Sequence, residues 1–197
     1  MRRKFYDGVL KEIQPVLDDS RIIISLAPSY SIADLKQSLG SSVRIVRAMP
    51  NTPAMVGEGM TGLSWSDDDF SESERTELMQ FFTSFGKAET VPENLMDAVT
   101  AASGSSPAFI YMMIEALADG VVKYGMPRDK AYTFVSQAVL GSAKMVLETG
   151  EHPGLLKDNV CSPGGTTIAA VAELEASGFR SSLIKAASAV CDRCRNM

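Results

Sequence analysis

The sequence predicts an α/β half followed by an all-α half. Two observations carry this. Apolar runs of strand length alternate with helical patterns up to about Val91, and from Leu95 onward no strand pattern recurs. A length of 197 residues gives room for one large or two small domains, each with a core.

The elements follow in order. Lys4 to Leu17 places Phe5, Val9, Leu10, Ile13 and Leu17 at helical spacing. "RIIIS", residues 21–25, is a continuous apolar run, the mark of a strand covered on both faces. "SIADLKQSLG" opens on Ser31 as a cap and closes on Gly40 as the residue after the helix. "VRIVRAM" is a second strand ended by Pro50, "MTGLSW" a third, Ser71 to Phe85 a helix, and "KAETV" a last strand. Such alternation predicts a parallel βαβ sheet with right-handed crossovers. In the second half, Pro107–Tyr124, Pro127–Thr149, Pro163–Ser177 and Phe179 to the C-terminus read as helices, three of them opening with proline at the first helical position. "FIYMMIEALADGVV" is apolar on nearly every side. A helix of that kind is buried all round. The reading is that part of it faces a second copy of the chain, against the alternative of a central helix inside its own domain. "SDDDFSESE" reads as a solvated loop and an acidic first helical turn.

Composition removes whole classes of function. A net charge of −5 leaves no basic footprint for nucleic acid. No run of 18 apolar residues is present, and "MRRKFYDGVL" lacks the apolar segment of a signal peptide. Three cysteines fit a reducing cytoplasm better than a disulfide framework. Cys191 and Cys194 have C-x-x-C spacing, but only Cys161 and His152 could complete a metal set, so no metal is expected, and the thiols read as buried or surface groups rather than as a redox pair.

Four stretches carry candidate chemistry. In "VCSPGGTTIAAV", Ser162 is placed as the cap and Pro163 as the first helical residue. Gly164 and Gly165 then leave the first-turn N–H groups open to close approach. Those donors and the positive end of the dipole suit a carboxylate or phosphate. Two glycines there weaken the helix by roughly 1 kcal/mol each, which favours a ligand over plain capping. Thr166 and Thr167 set hydroxyls beside that anion seat; the alternative is a glycine-rich helix start with threonines facing solvent. "SGSSPA", with Ser103, Gly104 and Ser105, has the same grammar, or is a plain helix–helix turn. "ETGEHPG" holds the single histidine, His152, which reads as a surface or structural residue more readily than as a general acid. Glu151 is the more useful group there, able to orient a threonine hydroxyl or face a cationic nitrogen. "RAMPNTPAMVGEG" follows a strand at the end where open sheets bind ligands, and Asn51 and Thr52 fit contacts to an amide-bearing cofactor ring, or form a bare proline turn.

Taken together, "RAMPNTPAMVGEGMTGLS", "DAVTAASGSSPAFIYMMIEALADGVVKYGMP" and "CSPGGTTIAAVAELEASGF" resemble the pyrroline-5-carboxylate reductases, from about Lys4 to the end of the chain. The resemblance implies a partial Rossmann-type dinucleotide-binding domain over residues 1–92 and a helical dimerisation and substrate domain over 93–197. It implies reduction of the imine of 1-pyrroline-5-carboxylate to L-proline, with NADPH or NADH, in a cytoplasmic homodimer or larger ring. By the same resemblance, Ser162, Gly164, Gly165, Thr166 and Thr167 hold the substrate carboxylate. Thr167 also hydrogen-bonds the ring nitrogen and Glu151 supports that threonine. Asn51, Thr52, Ser103, Gly104 and Ser105 line the nicotinamide side.

The sequence also departs from the family's pattern. No G-x-G-x-x-G opens a helix anywhere in it, so the first mononucleotide half of the family's domain is expected to be missing. In "SLAPSYS", Pro28 and Ser29 stand where the family usually shows Ala-Gly and a hydrophobic residue. Two other readings stay open: a catalytically inactive dimerising module, or a related imine or β-hydroxyacid reductase. Glu115 and Asp119, without a lysine, on the helix from Pro107 count against the hydroxyacid version.

Overall fold

The computed structural model describes residues 3–18 and 20–196. Helix α1 (Arg3–Ile13) gives way to a 3₁₀ turn over Gln14–Val16, because Pro15 has no N–H to continue it. Strands β1 (Ile22–Ser25), β2 (Arg44–Met49), β3 (Gly59–Trp65) and β4 (Gly86–Thr90) form one sheet in the order β1-β2-β3-β4. β1 and β2 run parallel, as do β3 and β4. The β2–β3 pair is antiparallel, a departure from uniform alternation. Only residues 50–58 join those two strands, whereas a parallel crossover takes roughly a dozen residues or more.

Successive residues of β2 point to opposite faces and divide the core. Ile45 packs with Leu10, Tyr30, Leu35, Leu39 and Val43, under α1 and α2 (Ile32–Leu39). Val46 and Ala48 pack with Leu63 and Phe82, under α3 (Glu72–Thr83). Both helices start on a capping box, Ser31 with Asp34 and Ser71 with Glu74, and α2 ends at Gly40 with φ +121°. The buried Arg47 guanidinium donates to Glu93 at 2.8 Å and to the Pro28 carbonyl at 3.1 Å. The Glu93 carboxylate also accepts from the Ile32 N–H at 2.6 Å. These bonds tie together the loops at the carboxyl ends of β1 and β4.

Helix α4 (Met96–Val99) runs through a π-helical turn, Thr100–Gly104, into α5 (Ser106–Val122). It lies tightly on β3: a Cβ added at Gly62 would come within 2.5 Å of a Val99 methyl. Gly62→Ala is therefore expected to destabilise the chain by about 1–3 kcal/mol through overpacking, read as a lower midpoint in urea.

Beyond α5 come α6 (Arg128–Thr149), α7 (Pro153–Asn159), α8 (Thr166–Ala176) and α9 (Phe179–Arg195). The prolines sit differently from expectation. Pro107 is the second residue of α5, Pro127 flanks α6, and Pro163 lies in a turn before α8. Pro153 does occupy a first helical position, in α7, a short helix where a loop was expected.

The chain packs as two compact units, one reaching to Pro107 and resuming at Ala186, the other Ala108–Lys185. Among the described residues, both clusters of buried apolar side chains belong to the first unit. In the second, Ala118 and Ala131 are buried, while Tyr111, Met112, Leu117, Phe134, Leu140 and Leu147 are exposed. Among the described residues, no helix is long and apolar enough to cross a membrane.

Candidate active site

The hydroxyl-glycine stretch is built as a turn followed by a bare helix start. Gly165 N–H donates to the Ser162 carbonyl at 3.0 Å, with Pro163 and Gly164 between them and Gly164 at φ +69°. Proline second and a left-handed glycine third is the chemistry of a type II turn. This corrects the placement of Ser162 as cap and Pro163 as first helical residue. The residue flanking α8 is Gly165, and it makes no side-chain cap. The Ser162 hydroxyl instead crowds Gly165, where an added Cβ would lie 2.5 Å from its oxygen. The N–H groups of Thr166, Thr167 and Ile168 thus start the helix without a capping side chain, and the first turn carries no acidic residue to offset the dipole. Thr166 and Thr167 are exposed. What this arrangement offers chemically is a set of aligned donors for an anion, with two hydroxyls beside them.

Glu151 and His152 precede α7. The His152 ring caps that helix, its Nδ1 accepting from the Gly154 N–H at 3.0 Å, which gives it a structural task. Glu151 is exposed; its backbone N–H donates to the Thr149 hydroxyl at 3.1 Å. Among the described residues, no hydrogen bond joins its carboxylate to Thr167.

The other candidates lie in the first unit. "SGSS" is neither a helix cap nor a helix–helix turn: Ser103 and Gly104 belong to the π-helical turn, and Ser105 N–H donates to the Thr100 carbonyl at 2.8 Å. Such widened turns often mark functional places in helices. Asn51 and Thr52 stand just past the carboxyl end of β2. The Asn51 amide is committed at both ends, Nδ2 donating to the Ser103 carbonyl at 3.1 Å and Oδ1 accepting from the Met60 N–H at 2.9 Å. The Ser103 hydroxyl donates to the Val99 carbonyl at 3.0 Å. The hydroxyls of Thr52 and Ser105 have no partner among the described residues. For a nicotinamide carboxamide this set fits in part: two uncommitted hydroxyls, and an asparagine spent on the scaffold. Asn51, Thr52 and Ser103–Ser105 are brought together; Glu151, Ser162 and Gly164–Thr167 belong to the other unit.

Two of the three cysteines, Cys191 and Cys194, lie beside Asp97. Cys191 Sγ lies 3.7 Å from the Asp97 carbonyl, and burial, then the Asp97 charge, push the Cys194 thiol up. A raised pKa keeps it a thiol and makes it a poor nucleophile. Among the described residues, no group of three or more His, Cys, Asp or Glu is placed to hold a metal ion. Pro107, read from sequence only as a helix start, also stands four residues after Ser103 and leaves that carbonyl without a helical donor beside the widened turn. The spacing was the available signal.

Residues 93–197 match the family profile described as pyrroline-5-carboxylate reductase dimerisation. A pyrroline-5-carboxylate reductase of Escherichia coli is 49% identical over 178 residues, 90% of this chain and 66% of the relative. One from Methanosarcina acetivorans is 42% identical over 190 residues, 96% of this chain and 70% of the relative. The crystal structure of Plasmodium falciparum pyrroline carboxylate reductase with NADP bound superposes at a TM-score of 0.91 and 34% identity, covering 98% of this chain and 77% of that one. The chain spans about two thirds of the length of these curated relatives. On this coverage and identity, the chain belongs to the pyrroline-5-carboxylate reductase family.

Proposed function

We propose that the protein reduces the imine of 1-pyrroline-5-carboxylate to L-proline. The observation that carries this reading is the start of α8, with uncapped N–H groups, no acidic residue in its first turn, and hydroxyls at Thr166 and Thr167. A small cyclic imino acid offers that terminus a carboxylate, and its ring nitrogen falls within a few ångströms of the same carboxylate. Ser162, Gly164, Gly165 and Thr166 form the carboxylate seat. Thr167 donates a hydrogen bond to the ring nitrogen and relays a proton to it as the imine becomes an amine, its own hydroxyl being restored by a proton from the solvent to which it is exposed. Glu151 supports that threonine electrostatically as positive charge passes through the nitrogen.

A nicotinamide cofactor, when bound, supplies the hydride that reaches the imine carbon. Thr52, Ser103, Gly104 and Ser105, with Asn51 behind them, line its nicotinamide side. The NADP-bound Plasmodium relative supports NADPH over NADH as the form used here. Functionally the chain divides into a dinucleotide-binding part, 1–92, and a dimerisation and substrate part, 93–197, the latter supported by the span of the family match. The exposed apolar side chains of the second unit support burial against a second copy, since a patch of that extent is costly in water. The homodimer or larger ring works in the cytoplasm, without metal, nucleic acid or membrane.

Purified chain mixed with 1-pyrroline-5-carboxylate and NADPH or NADH should consume the reduced cofactor, and should sediment as a dimer or larger. A folded dimer that consumes neither cofactor would overturn the assignment.

A further inference from the structure

Asn51 meets a structural need set 52 positions away, by Ser103 and Pro107. In a helix the Ser103 carbonyl would accept from the N–H four residues on, but that residue is Pro107, which has none and whose ring crowds that carbonyl. The chain widens into the π-helical turn at Thr100–Gly104. The freed carbonyl is taken by Asn51 Nδ2 at 3.1 Å, while Asn51 Oδ1 receives the Met60 N–H at 2.9 Å. Asn51 flanks the 3₁₀ turn Thr52–Val56, where an asparagine usually caps its own turn, yet it makes no cap bond there. Its amide reaches away to join the carboxyl end of β2, the start of β3 and the widened turn. Gly104 of the turn lies in ordinary contact distance of the Met49 side chain, and just before the turn Gly62 makes room for Val99.

We propose that Asn51 is a positioning residue: its amide replaces the N–H that Pro107 lacks, and so holds Ser103–Ser105 as the wall of the nicotinamide side. The proposal rests on the function proposed above and deepens it. Asn51 acts through the serine segment, which leaves the hydroxyls of Thr52 and Ser105 for the cofactor.

A double-substitution cycle in denaturant tests the clasp without reference to activity. Asn51→Ala should raise the unfolding equilibrium constant roughly tenfold or more, because an acceptor is left unmade. With Pro107→Ala in place, residue 107 regains an N–H for the Ser103 carbonyl, and the cost of Asn51→Ala should fall several-fold. Equal costs in the two backgrounds would overturn the clasp. If Asn51→Ala does not fold, Asn51→Asp keeps the acceptor for Met60 and removes the donor, and enters the same cycle. Positioning is read by titrating NADPH and following its fluorescence. Asn51→Ala should weaken NADPH binding several-fold and raise the cofactor KM more than it lowers kcat, with partial recovery when Pro107→Ala is added. Coupling in the cycle with unaltered NADPH affinity would overturn the positioning role. If the unsubstituted chain neither binds NADPH nor turns over, the proposed function fails instead, and the cycle alone decides the clasp.

Discussion

Replacing Thr167 by alanine is expected to lower turnover about a hundredfold or more while leaving the fold and the dimer intact. The side chain is exposed at the second position of α8 and has no hydrogen-bond partner among the described residues, so its loss removes no internal contact. Alanine is also the better helix former. Any stability change should stay within about 0.5 kcal/mol. The imine nitrogen must gain a proton as the adjacent carbon gains a hydride. A donor fixed beside it contributes about a hundred- to ten-thousandfold to rate. The loss should fall on kcat more than on KM, since the backbone seat for the carboxylate remains. Thr167→Ser, which keeps the hydroxyl, should recover most of the rate. Unaltered turnover in Thr167→Ala would remove the residue from its assigned role.

The second large effect lies in the sheet. Gly86 opens β4 at φ +152°, and a Cβ there would stand 2.1 Å from the Gly59 carbonyl oxygen and 2.4 Å from its nitrogen. Both neighbours are backbone, so no side chain can swing aside. Gly86→Ala must therefore part the first residues of β3 and β4 as well as adopt a strained φ. The two costs together come to about 3 kcal/mol or more. That is a large share of the 5–15 kcal/mol that typically holds a domain together. The expected result is a chain that is largely insoluble or melts many degrees lower. A near-normal melting temperature would show that the strands cross less closely than described.

How far these features were legible varies with the kind of signal. The capped helices were: Ser31 with Asp34 and a closing Gly40, and Ser71 with Glu74, are local chemistry that tertiary packing did not override. The antiparallel β2–β3 step was also legible, because residues 50–58 cannot make a crossover, but alternation of strand and helix patterns outweighed loop length. Ser162-Pro163-Gly164-Gly165 was ambiguous in principle. A serine before a proline signals a helix start, and a proline before a glycine signals a type II turn. The left-handed Gly164 decides for the turn and moves the helix start to Thr166. The uncapped donors move with the helix to Thr166, Thr167 and Ile168, where the proposed anion seat now stands. The Asn51 clasp was out of reach: its partners are 52 and 9 positions away, and nothing local in "PNTP" says where an amide will point.

The apolar character of α5 was plain from sequence, and the structure shows the consequence. Side chains such as Met112 and Leu117 stay exposed on a single chain, the condition that favours association.

The most direct measurement is a crystal structure of the chain with L-proline and NADP. The proline carboxylate is expected within hydrogen-bond distance of the N–H groups of Thr166, Thr167 and Ile168, with its amine nitrogen beside the Thr167 hydroxyl. Proline seated elsewhere, with the start of α8 empty, would contradict it.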